Sequence, residues 1–227
     1  MNITKILHPW KLAPELDFGW TMKTPDSAKT SFEIDTAGVY HLKIEHDRLK
    51  GITPAMLYWW FCHIGGNMTY QGKTYSRYLV WHPKDHIYWH CDNAKEFQQI
   101  GIGAHFRIVE AFGRNRDFLI DSTEVVTKLD ESGIKLVRRI GGVEVFSLQH
   151  DFIADGTDTI YRSYMKVGAE DGLFKGLFNS LFRPLVFSEA MAQAWLKHNI
   201  EEVGNFEFFL AELYEGAQET SPPLQEK

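Results

Sequence analysis

Cysteine is scarce in this chain: among 227 residues only Cys62 and Cys91 are cysteines, and neither belongs to a Cys-x-x-Cys pair. A disulfide scaffold and a thiolate zinc site are therefore both poor readings, and any metal has to be held by histidine and carboxylate. Long apolar runs are missing too. No stretch reaches the roughly 18 uninterrupted apolar residues of a membrane span, and the opening Met1-Asn2-Ile3-Thr4-Lys5 lacks a secretory apolar core, so the expected location is the cytoplasm. Positive charge is not in excess. With 24 Lys and Arg against 30 Asp and Glu the net charge is −6, which argues against nucleic acid or another polyanion as partner.

Aromatic side chains are abundant: 16 Phe, 9 Tyr and 7 Trp, beside 10 His. Such content fills a core, and it equally lines a cavity for a planar ligand. The length suits one domain. Residues 1–36, where Pro9, Pro14 and Pro25 are scattered among polar residues, read as an irregular N-terminal arm. Residues 37–216 read as the domain, and 217–227, with Ser221-Pro222-Pro223, as a disordered tail. Trp10, Phe18 and Trp20 in the arm would, if exposed, suit a contact between two copies of the chain, a homodimer.

Inside the domain, Val39 to His46 alternates apolar and polar as a strand does. Thr53-Pro54 offers an N-cap and a proline at the first helical position for a short apolar helix through Phe61. Tyr78 to Trp81 and His105 to Phe112 are strand candidates. From Asp121 a meander of hairpins follows: 124–128, 134–140, 143–150 and 159–167, with turns at Asp130-Glu131-Ser132-Gly133 and Gly141-Gly142. Residues 173–182 place apolar pairs at helical spacing. They carry one basic residue, Lys175, before Arg183, so a lid or packing role fits better than a membrane-surface anchor. A Ser188 N-cap then starts a long helix to about Tyr214. One antiparallel sheet of six or so strands, short early helices and one long C-terminal helix make an α+β domain, with a cavity between sheet and helix.

Chemistry concentrates in three places. His198 and Glu202 stand at i and i+4, leaving one helix face, and they continue the stripe begun by Met191 and Trp195; a carboxylate on that face needs a partner. Between Tyr78 and His90 lie His82, His86 and His90, any of which supplies an imidazole, with Asp85 or Asp92 as an outer acceptor. Glu110, between Val109 and Ala111 in an apolar strand, is costly unless neutral, paired or bound to metal. Each feature also has a plain reading: a solvated helix pair, a surface turn with incidental histidines, a strand carboxylate.

In combination, Gly51-Ile52-Thr53-Pro54-Ala55-Met56-Leu57-Tyr58-Trp59-Trp60-Phe61, Tyr78 to His86 and His198-Asn199-Ile200-Glu201-Glu202 resemble the diacetylphloroglucinol hydrolase family over residues 35–215. The resemblance implies a helix-grip fold similar to the Bet v 1 and START domains. It further implies a Zn2+ ion held by two His and two Glu, and hydrolysis of the carbon–carbon bond in a small acylated phenol. Carried over, His198 and Glu202 match the helical pair, His86 the other imidazole with His82 as the alternative, and Glu110 the remaining carboxylate. Tyr78, His150 and Tyr164 look like the family's substrate-contacting residues, expected to face the cavity. Two other readings stay open: a non-catalytic helix-grip carrier of a hydrophobic aromatic or lipid-like ligand, and a zinc hydrolase of the same fold acting on another bond, such as an ester.

Overall fold

Alternating apolar and polar residues from Leu119 onward give the chain its longest strands, because each strand can then turn one face to a core and the other to water. A computed structural model describes residues 9–220 apart from Gln98 and Phe174. The strands are β1 (Lys29–Ile34), β2 (Tyr40–Glu45), β3 (Asn67–Tyr70), β4 (Lys73–Ser76), β5 (His86–Cys91), β6 (His105–Ala111), β7 (Leu119–Asp130), β8 (Gly133–Ile140), β9 (Val143–Asp155) and β10 (Asp158–Val167). Helices α1 (Pro54–His63), α2 (Arg77–Trp81), α3 (Glu189–Asn205) and α4 (Leu210–Thr220) complete the main elements. Eight strands form one antiparallel sheet in the order β1-β2-β10-β9-β8-β7-β6-β5, and β3-β4 is a separate hairpin.

Local chemistry places the helices. The Thr53 hydroxyl accepts from the Met56 amide at 3.3 Å with Pro54 opening α1, and Ser188 does the same for Met191 at 3.2 Å in α3. The α3 face carrying Met191, Trp195, Leu196 and Ile200 packs on Tyr40, Leu42, Ile44, Met165 and Val167 of the sheet. A second cluster joins Trp60 and Phe61 of α1 to Trp81, Phe152, Phe206 and Phe209. Each such side chain contributes roughly 1.5–3 kcal/mol by leaving water. This is the helix-grip arrangement of an α+β domain: a long antiparallel sheet holding the C-terminal helix against its inner face. Between sheet and helix lies a cavity of about 660 Å³ with walls that include Phe61, Trp81, Phe106, Phe146 and Trp195.

Several local expectations need correction. Residues 1–36 are not wholly irregular, since β1 adds an edge strand to β2; its Lys-Thr-Ser-Phe-Glu-Ile sequence buries nothing fully, which leaves alternation faint. Tyr78 to Trp81 is helical rather than extended. The C-terminal helix breaks after Asn205 through a 3-10 turn at Phe206–Phe208, where Phe209 leaves helical geometry and both Phe206 and Phe209 turn into the core. Residues 217–220 continue α4 rather than a tail, and 1–8 and 221–227 lie outside the described residues. The arm aromatics are spent within the chain: Trp10 donates to Asp121 at 2.7 Å and stacks on Tyr88, Phe18 is buried, and Trp20 stacks on Phe208.

The segment 175–186 is helical and covers the cavity, contributing Phe178, Phe182, Leu185 and Val186 to its lining. Buried Asn179 ties it down, donating to the Ala37 and Ala169 carbonyls and accepting from the Ala169 amide at 2.7 Å. Among the described residues no helix is long and apolar enough to cross a membrane.

Candidate metal centre

Three elements converge at one wall of the cavity. The turn after α2 starts β5 at His86, and the β5–β6 register sets His86 directly opposite Glu110. Helix α3 brings His198 and Glu202 to the same place from the other side, one turn apart. His86, His198 and Glu202 are buried, and Glu110 is partly buried and lines the cavity.

The hydrogen bonds fix both imidazoles. His86 Nδ1 lies 2.7 Å from the Tyr78 carbonyl oxygen, which only accepts, so Nδ1 carries a proton. His198 Nδ1 lies 3.0 Å from Asp85 Oδ2, and Asp85 itself accepts from the Gly113 and Arg114 amides at 2.8 and 3.0 Å. Each ring therefore turns Nε2 toward the carboxylates, and both Nε2 atoms are buried with no hydrogen-bond partner. Such atoms are costly to bury without one.

Their surroundings supply an answer. His86 Nε2 is 3.4 Å from Glu110 Oε1 and 3.4 Å from Glu202 Oε2, while His198 Nε2 is 3.5 Å from Glu110 Oε2 and 3.7 Å from Glu202 Oε2. A tetrahedral ion with bonds of about 2.0–2.1 Å sets neighbouring donors about 3.4 Å apart. Two neutral imidazoles and two carboxylates leave two negative charges uncompensated in a buried place, which a divalent cation balances. The residues present thus fit a metal ion, and His86, Glu110 and His198 alone already bring donor atoms within 4.8 Å of one another.

Burial pushes His86 down to about 3, helped by His198 and His82 against the pull of Glu110. Burial also opposes charge on His198, yet Glu202, Glu110 and Asp85 together lift it to about 9, so without metal a proton on His198 is the local cation. Burial would raise Asp85, but His198, His82 and the Gly113 amide hold it well below the usual carboxylate range. Tyr78 stacks on the His86 ring at 3.9 Å and donates its hydroxyl to Glu110; burial and that carboxylate raise its pKa well above the ordinary value.

The remaining expected residues fall in different places. His82 stays outside the four-donor cluster: its Nδ1 accepts from the Asp85 amide at 3.2 Å, its Nε2 lies 3.4 Å from Glu201, and its ring stacks on His198. His90 is exposed on β5, and Asp92 accepts from Thr123 at the surface. His150 does line the cavity. Tyr164 does not: Tyr161, Ser163, Met165 and Val167 are the buried residues of β10, so the two-residue period sends Tyr164 to the outer face, between Lys43 and Gln149. The inward tyrosine is Tyr161, whose ring centre is 5.2 Å from that of His150.

Sequence reasoning passed over His46, Ser163, Asn199 and Glu124. His46 continues the inward parity of Tyr40, Leu42 and Ile44, which was the available signal. Glu124 is buried in the cavity wall, accepts from Ser122 through one oxygen, leaves the other unpartnered, and is pushed by burial to about 7.

No curated protein matches the chain in sequence. Among solved structures it is similar to protein Ms6760 from Mycobacterium smegmatis, with a TM-score of 0.44, 10% identity, and coverage of 83% of this chain and 98% of that one. Protein of unknown function SA2116 from Staphylococcus aureus gives 0.42, 12%, 78% and 96%. Ara h 8.0201 gives 0.37, 10%, 71% and 97%. The family model described as DAPG hydrolase PhiG domain matches residues 28–123, the stretch that carries α1, Tyr78, His86 and Glu110.

Proposed function

We propose that this chain is a zinc-dependent hydrolase that cleaves the carbon–carbon bond between an acyl group and a phenolic ring. The observation that carries the reading is the convergence of His86, Glu110, His198 and Glu202, with two unpartnered imidazole nitrogens 3.4–3.7 Å from carboxylate oxygens, on the wall of an aromatic cavity. Nitrogen and oxygen donors at this spacing suit zinc, which when bound supplies Lewis acidity toward a substrate oxygen or a water.

The chain's own residues account for the rest. Phe61, Trp81 and Phe106 give a flat ring an apolar berth and keep bulk water out. Hydrolysis of an acyl–aryl bond consumes one water, releases a carboxylic acid and returns a proton to the ring carbon that loses the acyl group. His150, kept neutral by burial, has Nδ1 engaged by Ser163 at 2.9 Å, so its Nε2 is the atom to meet a ring hydroxyl and relay that proton. The Tyr78 hydroxyl keeps its proton and holds Glu110 in place.

Metal analysis of protein purified without added metal, paired with a screen of acylated phenols for acid release, tests the reading. One zinc per chain and release of a carboxylic acid are expected. Absence of stoichiometric metal, together with ligand binding unaffected by His198→Ala, would leave only a carrier. Zinc without acid release would retire the carbon–carbon chemistry and leave a hydrolase of another bond.

A further inference from the structure

Glu124 belongs to the cavity wall but not to the metal centre. In the β6–β7 register it stands opposite Phe106, whereas Glu110 stands opposite Ile120. Four residues of β7 therefore separate the two levels, about 13 Å along the strand. The same face carries Ile108 and Ser122 between them, so Glu124 with Ser122 makes a polar spot on an otherwise apolar stretch of wall.

Glu124 is 4% exposed. Its Oε1 accepts from the Ser122 hydroxyl, and its Oε2 is buried with no hydrogen-bond partner. Arg138, which also lines the cavity, is exposed, and among the described residues Glu124 Oε2 gains nothing from it within hydrogen-bond reach. Ser122 is only partly buried, so water satisfies a serine there, and holding its hydroxyl does not account for burying a carboxyl among apolar side chains. Oε2 is left to whatever occupies the cavity. The terminal torsion of a glutamate is soft, so the carboxyl turns toward an occupant at little cost.

We propose that Glu124 is a specificity-determining residue that exchanges a hydrogen bond with a ring hydroxyl of the ligand, at the part of the cavity away from the metal centre. That the ligand is an acylated phenol rests on the function proposed above. A hydroxyl is selected because it serves the carboxyl in either form, donating to the carboxylate and accepting from the acid. An ether oxygen serves only the acid, and a bare ring edge serves neither. With the acyl group at the metal centre, the hydroxyl that meets Glu124 is one remote from the acyl group rather than the one beside it. The cavity thereby reads both ends of the ligand, and a ring with a single hydroxyl next to the acyl group leaves Glu124 unsatisfied.

The test compares 2,4-dihydroxyacetophenone with 2-hydroxyacetophenone, which lacks the remote hydroxyl. Dissociation constants come from stopped-flow quenching of the cavity tryptophans Trp81, Trp89 and Trp195, read before any turnover on protein carrying its metal. Wild type should bind the dihydroxy compound about tenfold or more tighter. In Glu124→Leu, which fills a similar volume without polar atoms, that preference should vanish, with 2-hydroxyacetophenone bound as in wild type and metal content unchanged. Glu124→Gln, which keeps a donor and an acceptor, should retain most of it. Equal binding of the two compounds by wild type, or a preference undiminished in Glu124→Leu, overturns the proposal, and the wild-type comparison stands even where the leucine variant fails to fold. A preference without acid release supports the role of Glu124 and counts against the proposed reaction alone; acid release without a preference overturns the role of Glu124 alone.

Discussion

His198 Nδ1 and Asp85 Oδ2 lie 3.0 Å apart, both buried, with Asp85 anchored in turn by the Gly113 and Arg114 amides. The carboxylate holds the imidazole in the tautomer that leaves Nε2 free toward Glu110 and Glu202, and it makes that nitrogen a better donor. Asn at position 85 offers one acceptor where two oxygens now receive three N–H groups. Asp85→Asn should therefore lower metal affinity by about 10–100-fold while far-UV circular dichroism stays native. Competition with a chromophoric chelator measures it, and an affinity equal to wild type would mean that Asp85 does not orient His198.

The acid side of the stability curve should carry the mark of His150. Burial lowers its pKa from 6.5 to about 3 in the folded chain. The folded state therefore binds fewer protons than the unfolded one between these values, and stability present above pH 6.5 is lost as pH falls toward 3. The slope from this one group approaches about 1.4 kcal/mol per pH unit. Urea unfolding at pH 7, 6 and 5 should show the wild type losing stability faster than His150→Gln. Parallel losses would show that His150 is charged or solvated when folded.

Much of this was legible in the residues themselves. The Thr53-Pro54 start, the Ser188 cap and the hairpins after Asp121 follow from local rules, and they place α1, α3 and β7 to β10. The pairing of His198 with Glu202 was visible because helical spacing maps onto one face. Glu110 was visible because a lone carboxylate in an apolar strand is costly. What brings His86 opposite Glu110 is a β5–β6 register that no local signal encodes, and β5 itself, His-Ile-Tyr-Trp-His-Cys, lacks alternation. Tyr164 went astray on parity by one residue, which sends a strand side chain to the opposite face. The contact of His46 with Ser163 joins the residue after β2 to β10, far apart in sequence, so only the folded chain brings those groups together.

Gly133 opens β8 at φ +146°, a conformation that favours glycine, and a Cβ there would stand 2.1 Å from the backbone oxygen of His150. Backbone cannot swing aside as a flexible side chain would, so relief has to come from moving β9 where it presents His150 to the cavity. Gly133→Ala should cost on the order of 3 kcal/mol. If the fold survives, activity should fall further than the stability loss alone explains. Thermal unfolding and kcat measured on the same preparation check both parts, and a variant as stable as wild type would contradict the close approach.

Leu148 sits two residues before His150 on the inner face of β9 and lines the cavity. Enlarging a residue in a packed core usually costs about 1–3 kcal/mol because neighbours must move. Here about 660 Å³ of cavity lies in front of it, so a larger side chain can grow into empty space. Leu148→Trp is therefore expected to keep both the melting temperature and the bound metal near wild type, since none of His86, Glu110, His198 or Glu202 is touched. Ligand affinity should drop by about tenfold or more, as lost cavity contacts of this size do. That separation of effects is informative, because a variant that loses metal along with ligand would show that the cavity and the metal centre are mechanically one, whereas unchanged ligand affinity would place the ligand somewhere other than this cavity.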